Sequence, residues 1–206
     1  SLWRPWNIDP SWKTQSGQAW FHIDQHPISK PGKQCIQGLI NLLPTSKEIG
    51  GNVVIPKSHN FFKDLPEEYK ERVERLPLDI DHFRFPHDDP KLSSEPAVMA
   101  HMEPGDMLLW DSRTIHCSSS GSSLPEGTSD LIRAASLICM MPKKLSSKEI
   151  LEKRIHAAEN LVSTTNWTND FRNADEFPII LEAENRDQYK WPKKPNLSDY
   201  QKELIA

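Results

Sequence analysis

The chain has 206 residues, with 25 Lys and Arg against 29 Asp and Glu; the net charge of -4 provides no basic field for a phosphate backbone and argues against a nucleic-acid partner. No run approaches the roughly 20 apolar residues that crossing a bilayer requires, and residues 1–13 lack an apolar leader, so a soluble chain without a membrane partner is expected. Cys35, Cys117 and Cys139 cannot all pair and none stands in a CxxC spacing, which points to a reducing, cytoplasmic setting.

The length suits one domain over residues 1–206. Position 1 is Ser rather than Met and the first motif comes near residue 20, which predicts that an N-terminal part of the natural protein is missing. Seventeen prolines fall between apolar runs rather than inside them, and this punctuation predicts many short strands. In chain order they span residues 19–24, 34–43, 52–55, 97–102, 106–110, 114–118 and 132–140. Within 34–43, Ile36, Gly38 and Ile40 alternate with Gln37, Leu39 and Asn41, the pattern of a strand lining a polar pocket. The run after Pro104-Gly105, from Asp106 to Trp110, is continuously apolar and suits a strand covered on both faces.

Two helices interrupt the strands. The first takes Asp64 as N-cap with Glu67 three residues on, and Tyr69, Val73 and Leu76 follow at helical spacing. The second spans residues 147–162, with Ser146 and Glu149 as a capping box and Leu151, Ile155, Ala158 and Leu161 as its buried stripe. Residues 79–96, polar and broken by proline, read as a long surface loop, either a lid or a plain solvated insertion. Beyond Trp167 the chain is charged and shows no core pattern.

Three side chains carry a chemical signal. His22 and Asp24 stand two apart, which in a strand puts both on one face, and His116 opens another apolar segment. Two imidazoles and a carboxylate can occupy one face of an octahedron around iron(II) and leave three positions open. The spacing by itself also fits satisfied structural histidines. His26 would share the side of His22 and Asp24 if the strand continued past Pro27, and is otherwise a loop histidine; His59 closes a turn where it could hold backbone carbonyls. His82, His87 and His101 have no evident ligand partner.

The surrounding motifs resemble the phytanoyl-CoA dioxygenase-like family. Trp20-Phe21-His22-Ile23-Asp24 is similar to its first metal motif, and Gly105-Asp106-Met107-Leu108-Leu109-Trp110 with His116-Cys117-Ser118 to its second. Ile49-Gly50-Gly51-Asn52-Val53-Val54-Ile55-Pro56-Lys57-Ser58-His59 is similar to its turn-strand segment ending in Pro-x-Ser-His, with Lys57 where many relatives have Gly. The resemblance implies a mainly β fold with flanking helices, a double-stranded β-helix or cupin-like jelly roll with its core over residues 19–141 and a helical, irregular part over 142–206. It implies metal ligands His22, Asp24 and His116, a keto-acid site at Arg133, Ser118 and Gln37, with Asn41 a further pocket residue, and Fe(II), 2-oxoglutarate and O2 as cofactors with ascorbate as a reductant.

The reaction implied is hydroxylation of a small organic substrate with conversion of 2-oxoglutarate to succinate and carbon dioxide. A guanidinium fork at Arg133 matches the distal carboxylate of the keto acid, and a hydroxyl at Ser118 adds a third bond, although Ser118, Ser119 or Ser120 could equally be a turn residue. Asp24 separates the chain from halogenases, which vacate the carboxylate position. The competing readings are a metal-binding jelly roll without turnover and a cupin enzyme that needs no keto acid. Neither substrate nor oligomeric state is legible.

Overall fold

The computed structural model describes residues 2–3, 20–78, 80–120, 132–162, 164–171 and 193–205, with backbone alone for 2, 3 and 120. The chain divides into two compact units, Ser1–Ile138 and Cys139–Ala206.

Among the described residues, nine strands run through the first unit: β1 (Leu2–Trp3), β2 (His22–Ile23), β3 (Ile36–Asn41), β4 (Gly50–Val54), β5 (Phe83–Arg84), β6 (Val98–Met99), β7 (Met107–Asp111), β8 (His116–Ser120) and β9 (Arg133–Met140), the last running on into the second unit. They form a four-stranded sheet in the order β1-β9-β3-β7 and a five-stranded sheet in the order β5-β2-β8-β4-β6. The result is the two-sheeted jelly roll that the sequence predicts.

Alternation along each strand divides the side chains between two cores. On β3, Gln37, Leu39 and Asn41 are buried and point between the sheets, while Ile36 and Ile40 lie half-buried on the other face. Leu39, Met102 and Ala135 fill the inter-sheet space, with Ala100, Leu108 and Trp110 packed against them. The second core lies on the far side of the five-stranded sheet, where Ile23, Ile55, Phe83 and Ile115 pack against Phe62, Leu65, Val73 and Phe85. Two short helices supply part of that cover, α1 (Leu65–Glu68) and α2 (Lys70–Glu74).

Several local expectations differ from what is found. The first predicted helix is a 3-10 segment, Ser58–Asp64, followed by α1 and α2, which break at Tyr69 with φ -115° and ψ 33°. Asp64 already has helical backbone angles and its side chain makes no capping bond, so the box with Glu67 does not form. Strand β7 is covered on one face only: Leu108 and Trp110 pack against the inter-sheet core, while Met107 and Leu109, alternating to the other face, are exposed. The predicted surface loop over residues 79–96 contains β5, whose Phe83 is buried together with Phe85 in the aromatic core while Arg84 points the other way. Alternation of Phe, Arg and Phe was the signal there, hidden by Pro86 and the surrounding charges. Asp79 itself lies outside the described residues.

In the second unit, α3 (Lys148–Glu159) starts one residue later than predicted. Ser147, not Ser146, is its N-cap, accepting from the amide of Ile150 at 3.2 Å, so Glu149 is not at the box position. Ala157 is its buried residue, and Leu161 lies beyond the helix, exposed and with φ 60°. Trp167 is buried, and Arg154 donates from Nη1 to its carbonyl at 3.1 Å and to that of Asp170 at 3.4 Å. A further helix not legible in the sequence, α4 (Asp199–Ile205), has the Ser198 hydroxyl accepting from the amide of Gln201 at 3.2 Å.

Candidate metal centre

The register of β2 on β8 sets His22 opposite His116, so two imidazoles from distant parts of the chain share one face of the five-stranded sheet. Their ring centroids are 4.4 Å apart. Asp24 lies just past the end of β2 rather than within it, where its amide donates to the carbonyl of Ser112 at 3.2 Å. The bend still turns its carboxylate onto the histidines. One ligand atom each from His22, Asp24 and His116 lies within 4.8 Å of the others, and among the described residues this is the one such group of three or more His, Cys, Asp and Glu side chains.

Hydrogen bonds assign the tautomer of both rings. Nδ1 of His22 stands 3.1 Å from the carbonyl of Trp20, and Nδ1 of His116 stands 2.9 Å from that of Thr114. A carbonyl only accepts, so each Nδ1 carries the proton and each Nε2 presents a lone pair. Those lone pairs aim at a carboxylate: Nε2 of His22 is 3.3 Å from Oδ1 of Asp24 and Nε2 of His116 is 3.5 Å from Oδ2. Two lone pairs and an anion at that range repel one another unless a cation lies among them. The donor set therefore fits a divalent metal, and one hard carboxylate with two imidazoles on one side suits iron(II).

Burial of Asp24 would raise its pKa, but when His116 and His22 carry a second proton, on Nε2, in place of a metal ion, their bonds and charge outweigh that effect and hold the carboxyl well below the usual carboxylate range. Asp24 is thus an anion at neutral pH, as a ligand must be. The sequence reading assigns Gln37 to the keto acid. Here its amide is engaged elsewhere, donating from Nε2 to Oδ2 of Asp24 at 2.9 Å and accepting at Oε1 from Nε1 of Trp110 at 3.0 Å.

Ser118 lies two residues after His116 on β8 and so faces the same way, half-buried. Arg133 is buried on β9, and Ala135, two residues on, packs against Leu39 between the sheets, which puts Arg133 on the inward face of its strand. Burial pulls its pKa down.

Other histidines take other roles. His26 is fully buried, and its Nδ1 accepts from the amides of Ile28 at 3.0 Å and Ser29 at 3.1 Å, so it holds a turn and stays outside the metal group. In the Pro-Lys-Ser-His turn the bonding side chain is Ser58, whose hydroxyl donates to the carbonyl of Ile55 at 2.7 Å and accepts from the amide of Ile115 at 2.8 Å; that role had been expected of His59. His82, for which the sequence suggests no partner, is close enough for His22 to lower its pKa, after burial as the larger cause.

Three residues of the site escaped the sequence reading. Trp110, quoted there only as part of a motif, holds Gln37 and lies 5.4 Å from the His116 ring. Trp20 stacks on His22 with centroids 4.3 Å apart and planes 5° from parallel, and the Arg84 guanidinium lies over the Trp20 ring at 5.3 Å. Asn52 pairs with Ser118 across β4 and β8 and is buried, with no hydrogen-bond partner for its Oδ1 among the described residues. A lone Asn inside the apolar run from Gly50 to Ile55 was the available signal.

The phytanoyl-CoA dioxygenase (PhyH) family matches residues 9–124, more than half of the chain and the stretch that holds His22, Asp24, Gln37 and His116. The chain belongs to the phytanoyl-CoA dioxygenase family. Members of the family use iron(II) and 2-oxoglutarate. A curated relative, Ava biosynthesis cluster protein O of Aspergillus versicolor, is 30% identical over 164 residues, which is 76% of this chain and 50% of that protein. The chain thus spans about half the length of the relative it matches. Among solved structures, EvdMO1 shares 22% identity over 60% of this chain and 23% of its own, with a TM-score of 0.37. EctD from S. alaskensis in its apoform shares 13% over 59% of this chain and 38% of its own, again with a TM-score of 0.37.

Proposed function

We propose that this chain forms the core of an iron(II)- and 2-oxoglutarate-dependent dioxygenase that hydroxylates a small organic substrate and converts 2-oxoglutarate to succinate and carbon dioxide. The observation that carries the reading is the convergence of the His22 and His116 Nε2 lone pairs on the Asp24 carboxylate, with both Nδ1 protons already taken by carbonyls. In this reading His22, Asp24 and His116 hold the metal, and family membership supplies its identity and the keto acid.

Arg133 is the candidate for the distal carboxylate of 2-oxoglutarate. A buried, inward-facing guanidinium can bind a carboxylate through two parallel bonds, and Ser118, on the face that carries His116, offers a hydroxyl to the same pocket. Bound iron and keto acid supply the oxygen activation; the protein's residues hold the ion, orient the keto acid and keep the substrate C–H at the open side of the site. Retention of Asp24 favours hydroxylation over halogenation, because a carboxylate occupies the position that a halide would need.

The test is oxygen-dependent succinate formation by the purified chain supplied with iron(II), 2-oxoglutarate and ascorbate. Asp24→Ala is expected to abolish it. Arg133→Ala is expected to raise the 2-oxoglutarate concentration needed by about 30-fold or more, the equivalent of roughly 2 kcal/mol for a lost bidentate charge pair, with metal binding intact. Metal uptake without succinate would instead select a metal-binding jelly roll without turnover. Unchanged 2-oxoglutarate dependence in Arg133→Ala would remove that residue from the keto-acid site.

A further inference from the structure

The metal reading leaves open what fixes the Asp24 carboxylate, which sits in a bend beyond the end of β2 and so lacks the rigidity of a ladder position. Both of its oxygens are within reach of an imidazole, Oδ1 beside His22 and Oδ2 beside His116. Only Oδ2 also accepts from Gln37, at 2.9 Å. Gln37 comes from the opposite sheet, so this bond ties the ligand across the jelly roll.

An amide can present either end to a carboxylate, and a flipped Gln37 would point its oxygen at the anion. Trp110 decides between the two. Its indole Nε1 is a donor only and lies 3.0 Å from the Gln37 oxygen, so flipping the amide would set two donors against each other at Trp110 and an acceptor against an anion at Asp24. Gln37 and Trp110 are direct partners across β3 and β7, so the ladder holds them in register. Gln37 is buried, where an amide left without its partners is costly.

We infer that Trp110 and Gln37 are positioning residues for the metal site: the indole sets the polarity of the amide, and the amide retains Oδ2 of Asp24 and leaves Oδ1 for the metal. The inference rests on the metal reading given above and adds to it the control of a ligand by two residues that do not touch the ion.

Cobalt(II), titrated into the whole chain and followed by its visible absorption, reads the site without turnover. Trp110→Phe keeps an aromatic ring beside His116 and against the inter-sheet core and removes the single donor. It is expected to weaken cobalt(II) binding by about 10-fold, the lower end of the effect of losing a ligand's outer partner. Gln37→Met, which removes the amide at similar length, is expected to lose at least as much. Trp110→Phe added to Gln37→Met is expected to cost nothing further, because the indole acts through the amide; a residue needed only for packing would give losses that add.

Wild-type cobalt(II) affinity in Trp110→Phe, or additive losses in the double variant, overturns the inference. If circular dichroism finds Trp110→Phe unfolded, wild-type affinity in Gln37→Met overturns it instead. A wild-type chain that takes up no cobalt(II) overturns the metal reading and this inference with it, whereas wild-type binding with indifferent variants overturns this inference alone.

Discussion

Lys57 has φ 62°, a left-handed conformation that costs a residue with a Cβ about 1 kcal/mol and that Gly adopts freely. Its Nζ lies 3.2 Å from Glu95 with both side chains largely solvated, an ion pair worth little. Lys57→Gly is therefore expected to stabilise the chain by about 0.5 to 1 kcal/mol and raise the thermal midpoint by about 2 °C, checked by calorimetry. A lowered midpoint would show that the turn gains more from the lysine than its backbone strain removes. The identities of His22, Asp24 and His116 were readable at this same scale, because residue type and order are properties of the chain. The tautomers were not, since they depend on the carbonyls of Trp20 and Thr114 standing beside each Nδ1.

Strand β3 shows how an element carries the site. Its alternation, legible in the sequence, turns Gln37, Leu39 and Asn41 inward. Gly38, between them, is closely approached by β7: a Cβ there would meet Leu108 O at 2.7 Å and Leu109 Cδ2 at 2.5 Å, and the first is backbone that cannot rotate away. Gly38→Ala is expected to part β3 from β7, lowering stability by about 1 to 3 kcal/mol and weakening metal binding as Gln37 moves off Trp110. Thermal unfolding and cobalt(II) titration check the two effects, and an unaltered midpoint would mean that the pair can separate without cost. Element boundaries were less legible than strand faces. The predicted helix after Asp64 broke at Tyr69, whose ring packs edge-on against Phe83 and Phe85, so tertiary contact overrode helical spacing.

At the scale of the whole molecule, the three proposed ligands join β2, the bend after it and β8, so an ion there would hold parts of the first unit that the chain itself connects only through long excursions. An ion bound at 100 times its dissociation constant is worth about 2.7 kcal/mol, and cobalt(II) or iron(II) is expected to raise the thermal midpoint by about 5 to 10 °C, with chelation reversing it. The increment declines on acidification, because imidazoles must be unprotonated to bind. Asp24, held low in the fold, also contributes stability that is present at neutral pH and lost only on strong acidification. A midpoint indifferent to metal and chelator would argue against a site that spans these strands. Among the described residues, no helix is long and apolar enough to cross a membrane. By itself the sequence determined the inward face of β3, the family and the candidate ligand types, since periodicity and motif order are local and survive without coordinates. Only the tertiary structure decided that Phe83 and Phe85 belong to a core, that Gln37 is bound to Asp24, and that Trp110 orients it, because each depends on which distant strand lies opposite.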